Sequence, residues 1–189
     1  KGNSQLALRG ALAIEMVHTY SLVHDDMPMC DNDLVRRGQP SVHAAFGEAT
    51  ALLCGDTLLT DSFAILSGLK YQNSKSEPPS EFLEHSTKAL KMVAELAKAS
   101  GIGGMVGGQA IDMQLGGRQN HATELEAVDY MHRLKTGCLM ASAFTIGALS
   151  SDVGVDQLED LRNIGHDIGL VFQILDDILL IHQLQLLLY

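Results

Sequence analysis

Positive charge is scarce in this sequence: 13 Lys and Arg stand against 23 Asp and Glu in 189 residues, a formal charge of −10. A nucleic-acid or anionic-membrane surface is disfavoured on that count, because phosphate backbones are gripped by clustered Lys and Arg. Cysteines are also few. Cys30, Cys54 and Cys138 are odd in number, far apart and embedded in apolar or helix-like segments, so neither a disulfide framework nor a zinc site is suggested. A reducing compartment fits. No basic stretch followed by an apolar core opens the sequence, and no apolar run is expected to reach the ~18 to 20 residues that span a bilayer. The expectation is a cytoplasmic protein without stable membrane insertion. Strand signals are scarce too, since Val and Ile sit inside helical runs and not in alternating segments bounded by turns. No repeat of solenoid period is present.

What is there is helix. Apolar residues recur at helical spacing over 4–24, 44–70, 81–100, 123–149 and 155–189, and 46% of the chain is hydrophobic, enough for one substantial core. The spacing predicts an all-α fold in a single domain over 1–189. Breakers between the runs mark loops at Pro28, at Arg37-Gly38-Gln39-Pro40, over Gln72 to Ser80 and at Gly116-Gly117. Glycines at 101, 103, 104, 107 and 108 are too dense for a free-standing helix, each costing up to ~1 kcal/mol against Ala. A helix there must be packed closely against its neighbours.

Chemistry concentrates in two acidic clusters. The first runs Ser21-Leu-Val-His-Asp25-Asp26-Met-Pro-Met-Cys-Asp31-Asn-Asp33-Leu-Val-Arg36-Arg37-Gly38. Hard carboxylate oxygens suit Mg²⁺, which takes one or two of them and completes its shell with water and phosphate oxygens. Paired arginines suit the phosphate oxygens that remain. On an ideal helix Asp25 and Asp31 would lie about 240° apart and could not share a metal. Pro28 cannot continue a helix interior, and a turn there can swing Asp31 back. His18 lies on the same helical face as Asp25. Alone, such a cluster is equally well read as a solvated helix end followed by a turn.

The second cluster removes most of that ambiguity. Gly169-Leu-Val-Phe172-Gln173-Ile-Leu-Asp176-Asp177-Ile-Leu-Leu180 places two acids in an otherwise apolar helix, where isolated charge is costly unless paired or metal-bound. Between the clusters, Gly107-Gly-Gln109-Ala-Ile-Asp112 sets an amide and a carboxylate three residues apart, and His132-Arg-Leu-Lys135-Thr136-Gly137 adds a cation and a hydroxyl.

Taken together and in this order, these stretches resemble the trans-isoprenyl diphosphate synthase family, and within it the bacterial farnesyl and geranylgeranyl diphosphate synthases. His24-Asp25-Asp26, then Asp31 and Arg36-Arg37-Gly38, resembles the longer form of the family's first aspartate-rich motif, and Phe172 to Leu179 resembles the second. The resemblance implies the isoprenoid synthase fold, a helical bundle around a deep cavity. It implies a prenyltransferase joining an allylic diphosphate head-to-tail to isopentenyl diphosphate, with Mg²⁺, three ions when substrate is bound, and a homodimer. Asp25, Asp31 and Asp176 are then the metal ligands, supported by Asp26 and Asp177. Arg36 falls to the allylic diphosphate, and Arg37 and His18 to isopentenyl diphosphate. Lys135, Thr136 and Gln173 are the catalytic contacts to the allylic substrate. Tyr20, five residues before Asp25, matches the aromatic of farnesyl-making members and would set chain length from the cavity floor. Its offset of about 140° from Asp25 leaves an ordinary core tyrosine as the alternative. Farnesyl diphosphate is the first expected product and geranylgeranyl diphosphate the second.

The chain departs from the pattern in three places. The upstream glycine-glycine-lysine-x-x-arginine element is absent, Leu180 stands where a third aspartate is expected, and the lysine-bearing loop after it is missing. These departures fit an incomplete domain, lacking the N-terminal part and with segments closed up near 180 and 74. Two rivals remain at this stage. A class I terpene cyclase also uses an aspartate-rich motif, although its second metal motif mixes Asn, Ser and Glu and it has no Arg-Arg-Gly continuation. A non-catalytic synthase subunit would explain Leu180. His24, His43 and His85 are expected to be surface or packing residues, since imidazole is not what a hard Mg²⁺ site requires.

Overall fold

A computed structural model describes residues 2–68, 79–115 and 124–187. The expected loop at Gly116-Gly117 and the closure expected near 74 lie outside the described residues. Element order is α1 (Ser4–Asp25), β1 (Val35–Arg36), β2 (Gln39–Pro40), α2 (Val42–Phe46), α3 (Glu48–Leu66), α4 (Pro79–Ser100), α5 (Met105–Leu115), α6 (Glu124–His132), a π-helical turn (Arg133–Gly137), α7 (Cys138–Leu149) and α8 (Val155–Leu187). The all-α expectation holds. The chain falls into two compact units, Lys1–Val93 and Ala94–Tyr189.

In the first unit, α1 starts where Asn3 caps it, the side-chain oxygen accepting from the amides of Gln5 at 3.0 Å and Leu6 at 3.1 Å. Its buried face, Leu6, Gly10, Ala13, Val17, Tyr20 and Val23, repeats every three to four residues and packs along α3 through Ala51, Gly55, Ser62, Ile65 and Leu66. Val23 and Met27 continue the core beyond the helix with Ala51, and Val42 and Cys54 close over them. His24 reaches the Leu52 carbonyl at 3.1 Å and His43 the Asp33 carbonyl at 2.9 Å, packing roles as expected.

The predicted 44–70 run is broken at Gly47, whose φ of 87° separates α2 from α3. The short hairpin β1–β2 was not foreseen. It pairs Val35 with Pro40 and Arg36 with Gln39, with Arg37 and Gly38 at φ 52° and 77° in between, the positive dihedrals that a two-residue type I′ connection requires. The α4 helix begins at Pro79, inside the stretch expected to be loop, because the fixed φ of proline suits a first helical position. One expectation needs correcting. By length and composition alone, α3 is long and apolar enough to cross a membrane, with a mean hydropathy of 1.3. It packs on α1 through Ala51, Gly55, Ser62, Ile65 and Leu66, with 28% of that apolar window buried.

The second unit is built on α8, which runs without interruption from Val155 to Leu187. Arg162 anchors it to α4 by a forked pair with Glu95 at 2.7 and 2.9 Å, which holds the Glu95 carboxyl below its usual range. Within the expected 123–149 run, the described residues from Glu124 are helical but not uniform. From Arg133 to Gly137 it widens into a π turn, the Cys138 amide bonding back to the Arg133 carbonyl. The glycine-dense segment enters α5 as anticipated, and it is packed tightly. A Cβ on Gly108 would lie 2.2 Å from the Lys135 amide nitrogen, so α5 seats directly on the π turn.

Candidate active site

In the first unit, the turn after α1 resolves the geometric problem posed by Pro28. The helix ends at Asp25, the Cys30 amide bonds the Met27 carbonyl at 2.8 Å, and the Asp31 amide bonds the Asp25 carbonyl at 2.9 Å. Asn32, at φ 54°, completes the reversal, asparagine tolerating the left-handed region better than most residues. Residues that an ideal helix would hold apart thus lie at one turn, with Asp31 exposed and Asp25 half-buried.

Asp26 behaves differently from its neighbour. It is 2% exposed, and Arg36 binds it through Nε at 2.8 and 2.9 Å and through Nη2 at 2.5 Å, with Asp33 3.9 Å from the same Nη2. Both carboxylate oxygens are therefore taken by the guanidinium, and the hydrogen bonds raise the Arg36 pKa further. The hairpin presents Arg36 to Asp26 and leaves Arg37 exposed in the turn. Asp26, expected from the sequence to support the metal ligands, is paired here with Arg36. His18 is half-buried on α1. Tyr20 is 5% exposed, edge-on to His24 with ring centroids 5.7 Å apart, and its hydroxyl has no hydrogen-bond partner among the described residues. Burial raises its phenol pKa. It sits in the same buried row as Val17 and Val23.

In the second unit the π turn carries the two residues expected to act on the allylic substrate. Lys135 Nζ is held by Asp112 Oδ2 of α5 at 2.6 Å, and the Thr136 hydroxyl donates to Gln173 Oε1 of α8. Four residues further along α8, Asp177 lies 3.8 Å from His132 Nε2. A π turn offsets the side chains of a helix by one position and recurs at functional sites; here it aims Lys135 at α5 while Thr136 faces α8. Asp176 is exposed and has no protein partner among the described residues. The structure therefore joins Lys135, Thr136, Gln173, Asp112, His132 and Asp177. His132 and the Lys135–Asp112 pair were not assigned from sequence, although Asp112 stood out by its spacing from Gln109. A cavity of about 510 Å³ flanks the turn, lined by Arg133, Leu134, Cys138, Asn163, His166 and Asp167.

The carboxylates expected to face magnesium are donors of the hard-oxygen kind that such an ion takes. Asp25 and Asp31 supply hard oxygens at one turn, and Asp176 and Asp177 supply them on α8. No group of three or more metal-ligating side chains is gathered among the described residues.

A family model described as polyprenyl synthetase matches residues 1–183. Farnesyl diphosphate synthase of Bacillus subtilis is 44% identical over 167 residues, covering 88% of this chain and 52% of the relative. Geranylgeranyl pyrophosphate synthase 7 of Arabidopsis thaliana, a chloroplastic protein, is 39% identical over 178 residues, 94% of this chain and 48% of the relative. Among solved structures, a geranyltransferase from Helicobacter pylori complexed with magnesium and isoprenyl diphosphate superposes with a TM-score of 0.76 at 36% identity, over 90% of this chain and 51% of that one. The chain thus spans about half the length of the curated relatives it matches.

Proposed function

The chain belongs to the polyprenyl synthetase family, and from that premise we propose that it elongates an allylic diphosphate with isopentenyl diphosphate, in a Mg²⁺-dependent reaction that releases pyrophosphate. The observation that carries this is the π turn, which presents an ammonium and a hydroxyl from adjacent residues, each fixed by a partner on another helix. Ionising an allylic C–O bond leaves negative charge on pyrophosphate and positive charge on carbon. Lys135, held by Asp112, meets the first. Thr136, oriented by Gln173, offers its oxygen dipole to the second. Preorganised groups of this kind need no rearrangement as charge develops. Arg37, exposed at the hairpin tip, supplies a guanidinium for a second diphosphate. Arg36, fixed by Asp26, is a preset cation near Asp25. When bound, Mg²⁺ would add positive charge at the leaving diphosphate; the carboxylates suited to hold it are Asp25 and Asp31 after α1 and, taken separately, Asp176 and Asp177 on α8.

Farnesyl diphosphate is the proposed product. Incubation of the full-length protein with Mg²⁺, dimethylallyl diphosphate and isopentenyl diphosphate should give a C15 diphosphate. A C20 diphosphate would move the reading to a geranylgeranyl synthase, and absence of turnover would favour a non-catalytic subunit. If Tyr20 limits chain growth, Tyr20→Ala should shift the product distribution to C20 and beyond. An unchanged C15 product would make it a core tyrosine only.

A cytoplasmic homodimer is the assembly consistent with this reading. Sedimentation of the full-length protein at twice the monomer mass would support it.

A further inference from the structure

The α6–π–α7 stretch and α8 meet in antiparallel register along four successive levels. At the first two, glycines permit backbone contact. A Cβ on Gly165 would lie 2.5 Å from Ala141 Cα, and one on Gly169 would lie 2.7 Å from Gly137 Cα. At the next two levels polar side chains face each other: Thr136 donates to Gln173, and His132 Nε2 lies 3.8 Å from Asp177. His132 and Thr136 are four apart, as are Gln173 and Asp177, so each pair occupies one face of its helix. The Thr136–Gln173 rung is accounted for by the proposed reaction. The His132–Asp177 rung is not.

His132 is 7% exposed, whereas Asp177 is half in solvent. A buried imidazole facing one oxygen of an exposed carboxylate is an arrangement in which the histidine is fixed and the carboxylate is the part that moves. At 3.8 Å the pair is longer than a direct hydrogen bond. An imidazole Nε2–H donates to a carboxylate whether or not the other nitrogen carries a proton. The ring also sits at the start of the π turn, so the contact ties the α8 carboxylate to the segment that carries Lys135.

We propose that His132 is a positioning residue which holds one oxygen of Asp177, so that the other is directed to Mg²⁺ and the α8 carboxylates bind metal–diphosphate in register with Lys135 and Thr136. This rests on the synthase reading above. Outer partners that orient ligating carboxylates typically contribute about 10- to 100-fold to metal affinity or activity.

Calorimetric titration of Mg²⁺ into the full-length protein with inorganic pyrophosphate tests this without turnover. His132→Leu, which keeps bulk in a buried site but removes the donor, should weaken Mg²⁺ binding by about tenfold. His132→Gln, which restores an N–H at a similar reach, should return it to the wild-type value. In an Asp177→Asn background the Leu exchange should add nothing, since the partner is already altered. Should the Leu variant not fold by circular dichroism, His132→Met takes its place. Wild-type Mg²⁺ binding in the folded Leu or Met variant would overturn the proposal, as would an undiminished effect in the Asp177→Asn background. If the wild-type protein binds no Mg²⁺ with pyrophosphate, the synthase reading itself fails and this inference falls with it.

Discussion

Asp25→Asn is expected to lower the elongation rate by about a thousandfold and to raise the Mg²⁺ concentration needed for half-maximal activity, with the helical content unchanged. The size follows from the role assigned to the side chain. Removing one preorganised charge-stabilising group typically costs 10²–10³ in rate, and a lost metal ligand adds to that by weakening the ion's hold. The backbone bond that sets the turn, from the Asp31 amide to the Asp25 carbonyl at 2.9 Å, survives in Asn. Asp26→Asn provides the internal comparison. Its carboxylate is buried under Arg36, so the same exchange should disturb Arg36 and leave the Mg²⁺ dependence near wild type. Steady-state rates across a Mg²⁺ titration separate the two. Equal Mg²⁺ shifts for both variants would return Asp26 to the metal and contradict the division of labour between the adjacent acids.

The second large effect is expected at Gly108, where no chemistry resides. A methyl group there would meet the Lys135 amide nitrogen at 2.2 Å and its Cα at 2.5 Å. These are backbone atoms that cannot rotate away, so α5 and the π turn must separate. Overpacking of this kind costs about 1–3 kcal/mol of stability. Because Asp112 rides on α5 and Lys135 on the turn, the separation also breaks the registry of their 2.6 Å pair. A displacement of about 1 Å in a positioning group can cost roughly 10²-fold in rate. Gly108→Ala should therefore combine a modest fall in unfolding midpoint with a disproportionate fall in kcat. A variant that loses stability but keeps its kcat would show that the α5 contact only holds the fold.

Much of this was legible in the sequence because it depends on local periodicity and on residues with few conformational options. Helical spacing placed α1, α3, α4 and α8 to within a few residues. Pro28 announced a turn that brings Asp31 back to Asp25, and the glycine density from 101 to 108 announced close packing before its partner was known. The parts that escaped depend on contacts between distant segments. The π turn at Arg133–Gly137 leaves no periodic trace, since one extra residue per turn is decided by what α5 and α8 press against it. The hairpin hid behind Arg37, because a left-handed arginine is not a turn signal as Asn-Gly would be. Asp26 and Asp25 are identical residues side by side, and only the hairpin that delivers Arg36 tells them apart. His132 acquires a role only through Asp177, 45 positions later.

The central claim is tested most directly by metal-dependent incorporation of labelled isopentenyl diphosphate into a longer allylic diphosphate by the full-length protein. Incorporation should require both Mg²⁺ and the allylic substrate, release one pyrophosphate per condensation, stop on chelation with EDTA and resume when Mg²⁺ is restored. Incorporation that persists in EDTA, or a folded, Mg²⁺-supplied protein that incorporates no label, would contradict it.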